Sequence, residues 1–260
     1  MWNVSSHVNV AEHPIDDAGY RARCKSTLDA DGALVLDGFF LAESIDQVVS
    51  QSLERQLDVF YAGSTHNVYL TPPDSSLPDD HVFNRQVASS KGLIADDQIP
   101  QDSPLRDVYE SSEFRSFLCA VLGIDAIYPY DDSLSSVNVH FASEGRELGW
   151  HFDNSAFAVT MLLQKPEAGG VFEFVADVRD SDADEMGFDK VDTVLNGKAD
   201  VSTLEFEPGA LVLFRGRNSM HRVTPTIGAT TRLLAVFAYN DQPGVKLSDS
   251  ALETFFGRTG

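Results

Sequence analysis

The chain has 260 residues, 43% of them hydrophobic and 10% aromatic, a length and composition that suit one compact domain and exclude a disordered or fibrous protein. Its 40 acidic side chains against 19 basic ones give a formal charge of -21, which repels phosphate backbones and argues against a nucleic-acid partner. The N-terminus has neither a basic start nor an apolar run, and no stretch reaches the roughly 18 apolar residues that span a bilayer, so a cytoplasmic protein with no membrane association is expected.

In chain order, Asp16 to Leu28 reads as a helix, and Asp31-Gly32 turns it into the short apolar strand Ala33-Leu34-Val35-Leu36. Ile45, Val48, Val49, Leu53, Leu57 and Phe60 recur at three- and four-residue steps and predict an amphipathic helix from about 43 to 60 with one buried face. Residues 63 to 103, with Pro72-Pro73, Pro78, Pro100 and many Asp and Ser, read as loop with at most one short element. Ser103-Pro104 supplies an N-cap and a first-turn Pro for a helix carried by Leu105, Val108, Tyr109, Phe117, Leu118, Val121 and Leu122 to Gly123. Cys24 and Cys119 stand far apart and outside any C-x-x-C pattern, as reduced thiols do.

After Pro129 the period changes to two. Val137, Val139 and Phe141 alternate with Asn138 and His140, and apolar runs follow at 157–163, 171–174, 210–214 and 233–239, separated by Gly or Pro turns. Such strands predict a sandwich or barrel over about 125–240, with a mainly helical support region at 1–124 and a tail at 241–260, all in one compact domain. An acidic interruption between 177 and 200 carries a short helix from Phe188 to Leu195. Its Asp180, Asp182 and Asp184 mimic the start of a calcium loop, but Glu185 stands where that loop needs Gly and Val191 where it needs Glu.

His151-Phe152-Asp153 puts an imidazole and a carboxylate on one face of an extended segment. The motif is weak alone and gains from His221, which begins the strand after Ala210 to Phe214. Two His and one carboxylate leave three positions of a metal open, a set that suits non-haem Fe(II) oxygen chemistry better than closed structural zinc. Arg232 heads Leu233 to Tyr239 and shares a face with Leu234, Val236 and Ala238, so a permanent cation begins an apolar row and calls for an anion, best a bidentate carboxylate.

With His151, Asp153, His221 and Arg232 in place, the sequence resembles the Fe(II)/2-oxoglutarate-dependent oxygenases, whose signature is H-x-D, a distant His and an Arg on the following strand. The resemblance covers about 125–240, and the stretch from Asp31 to Phe40 also looks like that family's opening strand. It implies an α+β fold: a double-stranded β-helix, or jelly-roll, core with N-terminal helices packed outside. It implies Fe(II), O2 and the cosubstrate 2-oxoglutarate, chelating iron through its 1-carboxylate and 2-oxo group while Arg232 pairs with the 5-carboxylate. Oxidative decarboxylation to succinate and CO2 would drive hydrogen abstraction from the substrate. Asn138, which faces the same way as His140, and Thr224 or Thr226 are candidates for further bonds to 2-oxoglutarate.

The stretches Leu148 to Thr160 and Pro166 to Phe174 are similar to bacterial oxygenases that act on free amino acids. Some of those relatives replace the metal carboxylate with Gly and halogenate, so Asp153 implies hydroxylation. The expected substrate is a free amino acid or similarly small polar amine, and Asn154, Arg146, Trp150 and Glu173 lie near enough in sequence to reach the mouth. A peptide, a carrier-bound amino acid or a lipid-like metabolite is the alternative within this chemistry, and a non-catalytic metal-binding β-barrel sensor the alternative outside it.

Overall fold

Helices cap where the sequence supplies a polar side chain before them and a glycine after them. In the computed structural model, which describes residues 4–260, α1 (Ala18–Asp31) starts from Asp17, whose carboxylate accepts from the Tyr20 N–H, and ends at Gly32 in the left-handed region at φ 69°. Strand β1 (Ala33–Leu36) and helix α2 (Ala42–Glu54) follow. The helix predicted to reach residue 60 stops at Glu54: Leu57 is 99% exposed and Phe60 begins a strand. Aromatic and β-branched residues at 59–61 favour extended backbone, and pairing with a partner strand outweighs helical continuation.

That partner lies in the segment expected to be loop. β2 (Phe60–His66) and β3 (Val87–Ile94) pair antiparallel from Phe60↔Leu93 to His66↔Val87. Pro72, Pro73 and Pro78 lie in the connection between them and Pro100 follows β3, so composition described the links around the hairpin and hid its arms. The single helix expected over 104–122 is two, α3 (Pro104–Glu110) and α4 (Ser112–Leu122). Ser111 between them is extended at ψ 126°, and its hydroxyl accepts from the Phe114 N–H, capping α4.

The second half runs β4 (Val137–Ala142), β5 (Leu148–His151), β6 (Ala158–Gln164), β7 (Ala168–Gly169), β8 (Phe172–Val175), α5 (Phe188–Leu195), β9 (Ser202–Leu204), β10 (Leu211–Phe214), β11 (Met220–Val223), β12 (Thr226–Ile227), β13 (Arg232–Phe237) and α6 (Asp249–Phe256). Helix α5 spans the residues expected of it. Helix α6 does not follow from the reading of 241–260 as a tail; Ser248 caps it by accepting from the Ala251 N–H. The fold is mixed helix and antiparallel sheet. Among the described residues one sheet has the order β1-β10-β6-β13-β4-β3-β2, a second β5-β11-β8-β9, and β12 pairs with β7.

The two-residue period decides which side chains meet which layer. Val137, Val139, Phe141, Leu233, Ala235 and Phe237 face the helices, where they join Phe39, Phe114 and Phe117 in the main core. Each Val, Leu or Phe among them contributes roughly 1.5–3 kcal/mol by leaving water. Asn138, His140, Arg232 and Leu234 therefore face the opposite way, toward the second sheet, where Leu162, Phe206, Ala210 and Val212 form a smaller core flanked by Phe172 and Leu204. The second sheet's outer side packs Trp150, Phe152 and Met220 against Val68, Tyr69 and α5.

β3 ties the two sheets together. The Ser90 N–H donates to the Glu147 carbonyl and the Gly149 N–H to the Ser89 hydroxyl, both at 2.8 Å. A Cβ on Gly149 would lie 2.3 Å from the Ala88 carbonyl oxygen, so only glycine lets β5 approach β3 this closely. No helix among the described residues is long and apolar enough to cross a membrane, and Cys24 and Cys119 are free.

Candidate metal centre

β5 and β11 are antiparallel neighbours, with His151 and His221 Cα partners across them, which places the two imidazole rings 4.1 Å apart. Asp153 follows β5, its N–H donating to the Gly216 carbonyl at 3.0 Å, and its Oδ1 lies 3.8 Å from His151 Nε2 and 3.5 Å from His221 Nε2. One donor atom from each of the three residues lies within 4.8 Å of the other two.

Four observations show that these residues fit a metal ion. His151 Nδ1 lies 2.8 Å from the Gly149 carbonyl and His221 Nδ1 3.1 Å from the Ser219 carbonyl, so the network assigns the protons to Nδ1 and leaves both Nε2 lone pairs turned toward Asp153. Asp153 Oδ2 is buried without a hydrogen-bond partner. A Cβ on Gly216 would sit 1.9 Å from that oxygen and 2.8 Å from His221 Cε1, so a glycine holds open the space that the carboxylate occupies. Burial, with His221 next in weight, pushes the His151 imidazole down to about 3, which keeps it a neutral donor. Imidazole plus carboxylate suits a borderline divalent ion such as Fe(II).

Arg232 begins β13 opposite Ala142 and is 6% exposed, yet its guanidinium makes no hydrogen bond or ion pair with the described residues. Burial pushes its guanidinium down to about 10, leaving it charged at neutral pH and in need of an anion. His140 and Asn138 share its face, as expected. Burial, then Lys91 and Arg232, holds the His140 imidazole well below the usual range, so it is neutral. Asn138 is buried and donates to the Ser135 carbonyl. The Thr224 hydroxyl accepts from the Val171 N–H, whereas the Thr226 hydroxyl is buried and unpartnered.

A cavity of about 240 Å³ lies beside Asn154, the residue after Asp153, and is lined also by Lys91, Asn138, His140 and Ser155 and by Phe255 and Phe256 of α6. Of the four residues expected near a mouth, Asn154 lines it. Trp150 packs in the outer core under Arg222, whose guanidinium carbon lies 4.9 Å from the indole, and Arg222 donates to Glu173 at 2.6 Å. Arg146 lies over Tyr61 at 4.1 Å. Sequence reasoning missed Lys91, Gly216 and α6. Lys91 belonged to the stretch read as loop, and Gly216 shows its role only through the atoms a Cβ would strike. Arg179 was missed as well: it lies 4.2 Å over Phe152 and donates to the Asp153 carbonyl at 3.4 Å, bracing the H-x-D segment.

Comparison with known proteins places this geometry. The family model described as Halogenase D matches residues 84–254. A 2OG-Fe(II) oxygenase family oxidoreductase from Burkholderia pseudomallei has a similar structure, with a TM-score of 0.55 at 13% identity over 88% of this chain and 95% of that one. SnoN, a non-heme alpha ketoglutarate dependent epimerase from nogalamycin biosynthesis, gives 0.60 at 13% over 86% and 84%. A Pseudomonas putida prolyl-4-hydroxylase gives 0.52 at 13% over 84% and 98%. No curated protein matches the chain in sequence.

Proposed function

This chain belongs to the halogenase D family, whose model spans well over half of it, and on that premise we propose an Fe(II)- and 2-oxoglutarate-dependent dioxygenase that hydroxylates an unactivated C–H bond of a small polar metabolite, a free amino acid in our reading. The observation that carries this is the convergence of His151, Asp153 and His221 with their metal-facing atoms inward, on the same inter-sheet interior that holds the unpaired Arg232. We read the two sheets as a double-stranded β-helix, with about 125–240 as its catalytic core, 1–124 as support and 241–260 as a tail that contributes α6.

Iron with 2-oxoglutarate and O2 supplies an oxidant able to take hydrogen from an aliphatic carbon. The chain's own residues do the rest. His151, Asp153 and His221 hold the metal, with the Gly149 and Ser219 carbonyls fixing the two rings through Nδ1. Arg232 takes the far carboxylate of the keto acid, a charge-assisted contact that also relieves a buried cation. Asn138 and the threonines of 224–226 are further polar contacts for it: the Thr226 hydroxyl is unpartnered, and the Thr224 hydroxyl, which accepts from Val171, keeps its own O–H to donate. Phe172 and Phe214 pack against His221 and keep that side dry.

The family's name points to halogenation, which needs a metal position free for a halide. Asp153 fills that position, and Gly216 makes room for it, which favours hydroxylation. A cavity of about 240 Å³ lies below the usual range for drug-sized ligands and favours a small metabolite over a peptide or carrier domain. The test is a panel of amino acids incubated with enzyme, Fe(II) and 2-oxoglutarate under O2. At least one is expected to gain an oxygen atom with stoichiometric succinate. A panel that gains none discards the amino-acid assignment, and metal binding without succinate would mark a sensor.

A further inference from the structure

Lys91 lies on the inward face of β3 together with Leu93, which pairs with His140 across β3 and β4. Its ammonium makes no hydrogen bond or ion pair with the described residues. Burial pushes its ammonium down to about 8, and the attraction of Asp153 only partly offsets that burial. A cation in such a place costs stability unless something pairs with it.

The charges around it can be assigned one by one. A ferrous ion, a dianionic keto acid, Asp153 and Arg232 together are neutral, and His151 and His140 carry no charge. Lys91 is then the one unmatched charge among the described residues of this interior. No carboxylate lines the cavity that Lys91 faces, although the chain carries 40 acidic side chains. The remaining wall offers amide and hydroxyl groups from Asn138, Asn154, Ser155 and Tyr130, and an apolar side from Leu93, Leu247 and Phe256.

Building on the oxygenase reading above, we propose that Lys91 is the substrate-recognition residue of this cavity, pairing with a carboxylate of the substrate and so selecting small carboxylic acids over amines. A free amino acid would then enter with its carboxylate at Lys91 and its carbon chain along the Leu93 and Phe256 wall, beside Asp153. The acid is discriminated because its amide or its decarboxylated amine would leave the ammonium buried and unpaired.

Binding, not turnover, tests this. Protein loaded with Fe(II) and N-oxalylglycine, an inert analogue of the keto acid, is titrated without O2 by calorimetry. The probes are the amino acids, their carboxamides, their decarboxylated amines and amine-free carboxylic acids of matching length. At least one acid is expected to bind and to lose about 10- to 100-fold in affinity on amidation, the usual size of a charge-assisted contact. Lys91→Met should lose a similar factor for the acid and little for the amide, while Lys91→Arg retains part of it. Affinity for 2-oxoglutarate in the substrate-free protein should be unchanged. Carboxylic acids that bind through Lys91 while amino acids do not would sink the amino-acid assignment and leave Lys91's role standing. Acid and amide binding alike, amines binding in preference, no carboxylate binding at all, or a Lys91→Met variant impaired only toward 2-oxoglutarate would each overturn the proposal.

Discussion

His151 and His221 are direct cross-strand partners on β5 and β11, and the register of that one pair sets the spacing of two of the three metal-facing side chains. A slip of one residue would turn one imidazole to the outer face, where Phe152 and Met220 now pack, so the hydrophobic pattern that fixes the register also fixes the centre. Asp153 is placed differently. It lies beyond the strand, held by its N–H to Gly216 and by the space Gly216 leaves.

Gly216→Ala should therefore behave like a ligand mutant although residue 216 donates nothing to the metal. The added methyl would lie 1.9 Å from Asp153 Oδ2 and must push the carboxylate aside. Iron affinity measured by competition with a chelator should fall as far as in Asp153→Ala, with the far-ultraviolet circular dichroism of the wild type. Wild-type iron affinity in Gly216→Ala would mean that Asp153 can bind from another rotamer.

Arg232→Leu is expected to weaken 2-oxoglutarate binding by about 1.5–3 kcal/mol, roughly 10- to 150-fold. The metal-free variant should not be destabilised, because it loses a buried charge that has no partner in the chain. Calorimetry with 2-oxoglutarate on the iron-loaded protein and a melting curve of the metal-free protein together check this. Unchanged keto-acid affinity would move the anion site elsewhere.

What the sequence disclosed follows from how local each signal is. H-x-D, a strand-opening His and a strand-opening Arg are short patterns, and 211–214 and 232–237 are apolar runs bounded by turn residues, so these were legible, as was the short helix 188–195. β5 and β9 were not singled out as strands, being only three or four residues long with too few side chains to show alternation. The β2–β3 hairpin escaped because its pairing is long-range and its connection is rich in Pro and Asp. The break at Ser111 is a capping choice that apolar spacing does not record. Lys91 became visible only when β3 was placed beside β4.

The failed helix extension at 55–60 gives a stability contrast. Leu57, read as core from its spacing, is 99% exposed, whereas Phe117, read from the same kind of spacing, is fully buried. Leu57→Ser should change the unfolding free energy by less than about 0.5 kcal/mol, and Phe117→Ala should cost about 3–5 kcal/mol. Urea unfolding of both variants measures the contrast. A Leu57→Ser loss near that of Phe117→Ala would show that residue 57 is covered in solution.

Lys91 also makes a prediction about stability that is independent of any ligand. Its folded value of about 8 lies below the ordinary 10.5, so between these pH values the unfolded chain binds the proton more readily than the native one. Stability then rises with pH across that window, and below pH 8 the native state bears the full cost of a buried ammonium that Asp153 only partly offsets. Lys91→Met removes this cost, so the metal-free variant should be more stable than wild type at pH 7 by about 1–3 kcal/mol. The gain should shrink as pH climbs through 8 and vanish near 10.5. Neither His140, whose value Lys91 helps to lower, nor Arg232 should reproduce that profile: His140 is already neutral at pH 7, and Arg232 stays charged until about pH 10. Denaturant melts of both proteins at pH 7, 9 and 10.5 decide it. A variant less stable than wild type at pH 7, or a gain that does not vary with pH, would mean that Lys91 already has an anionic partner in the metal-free protein.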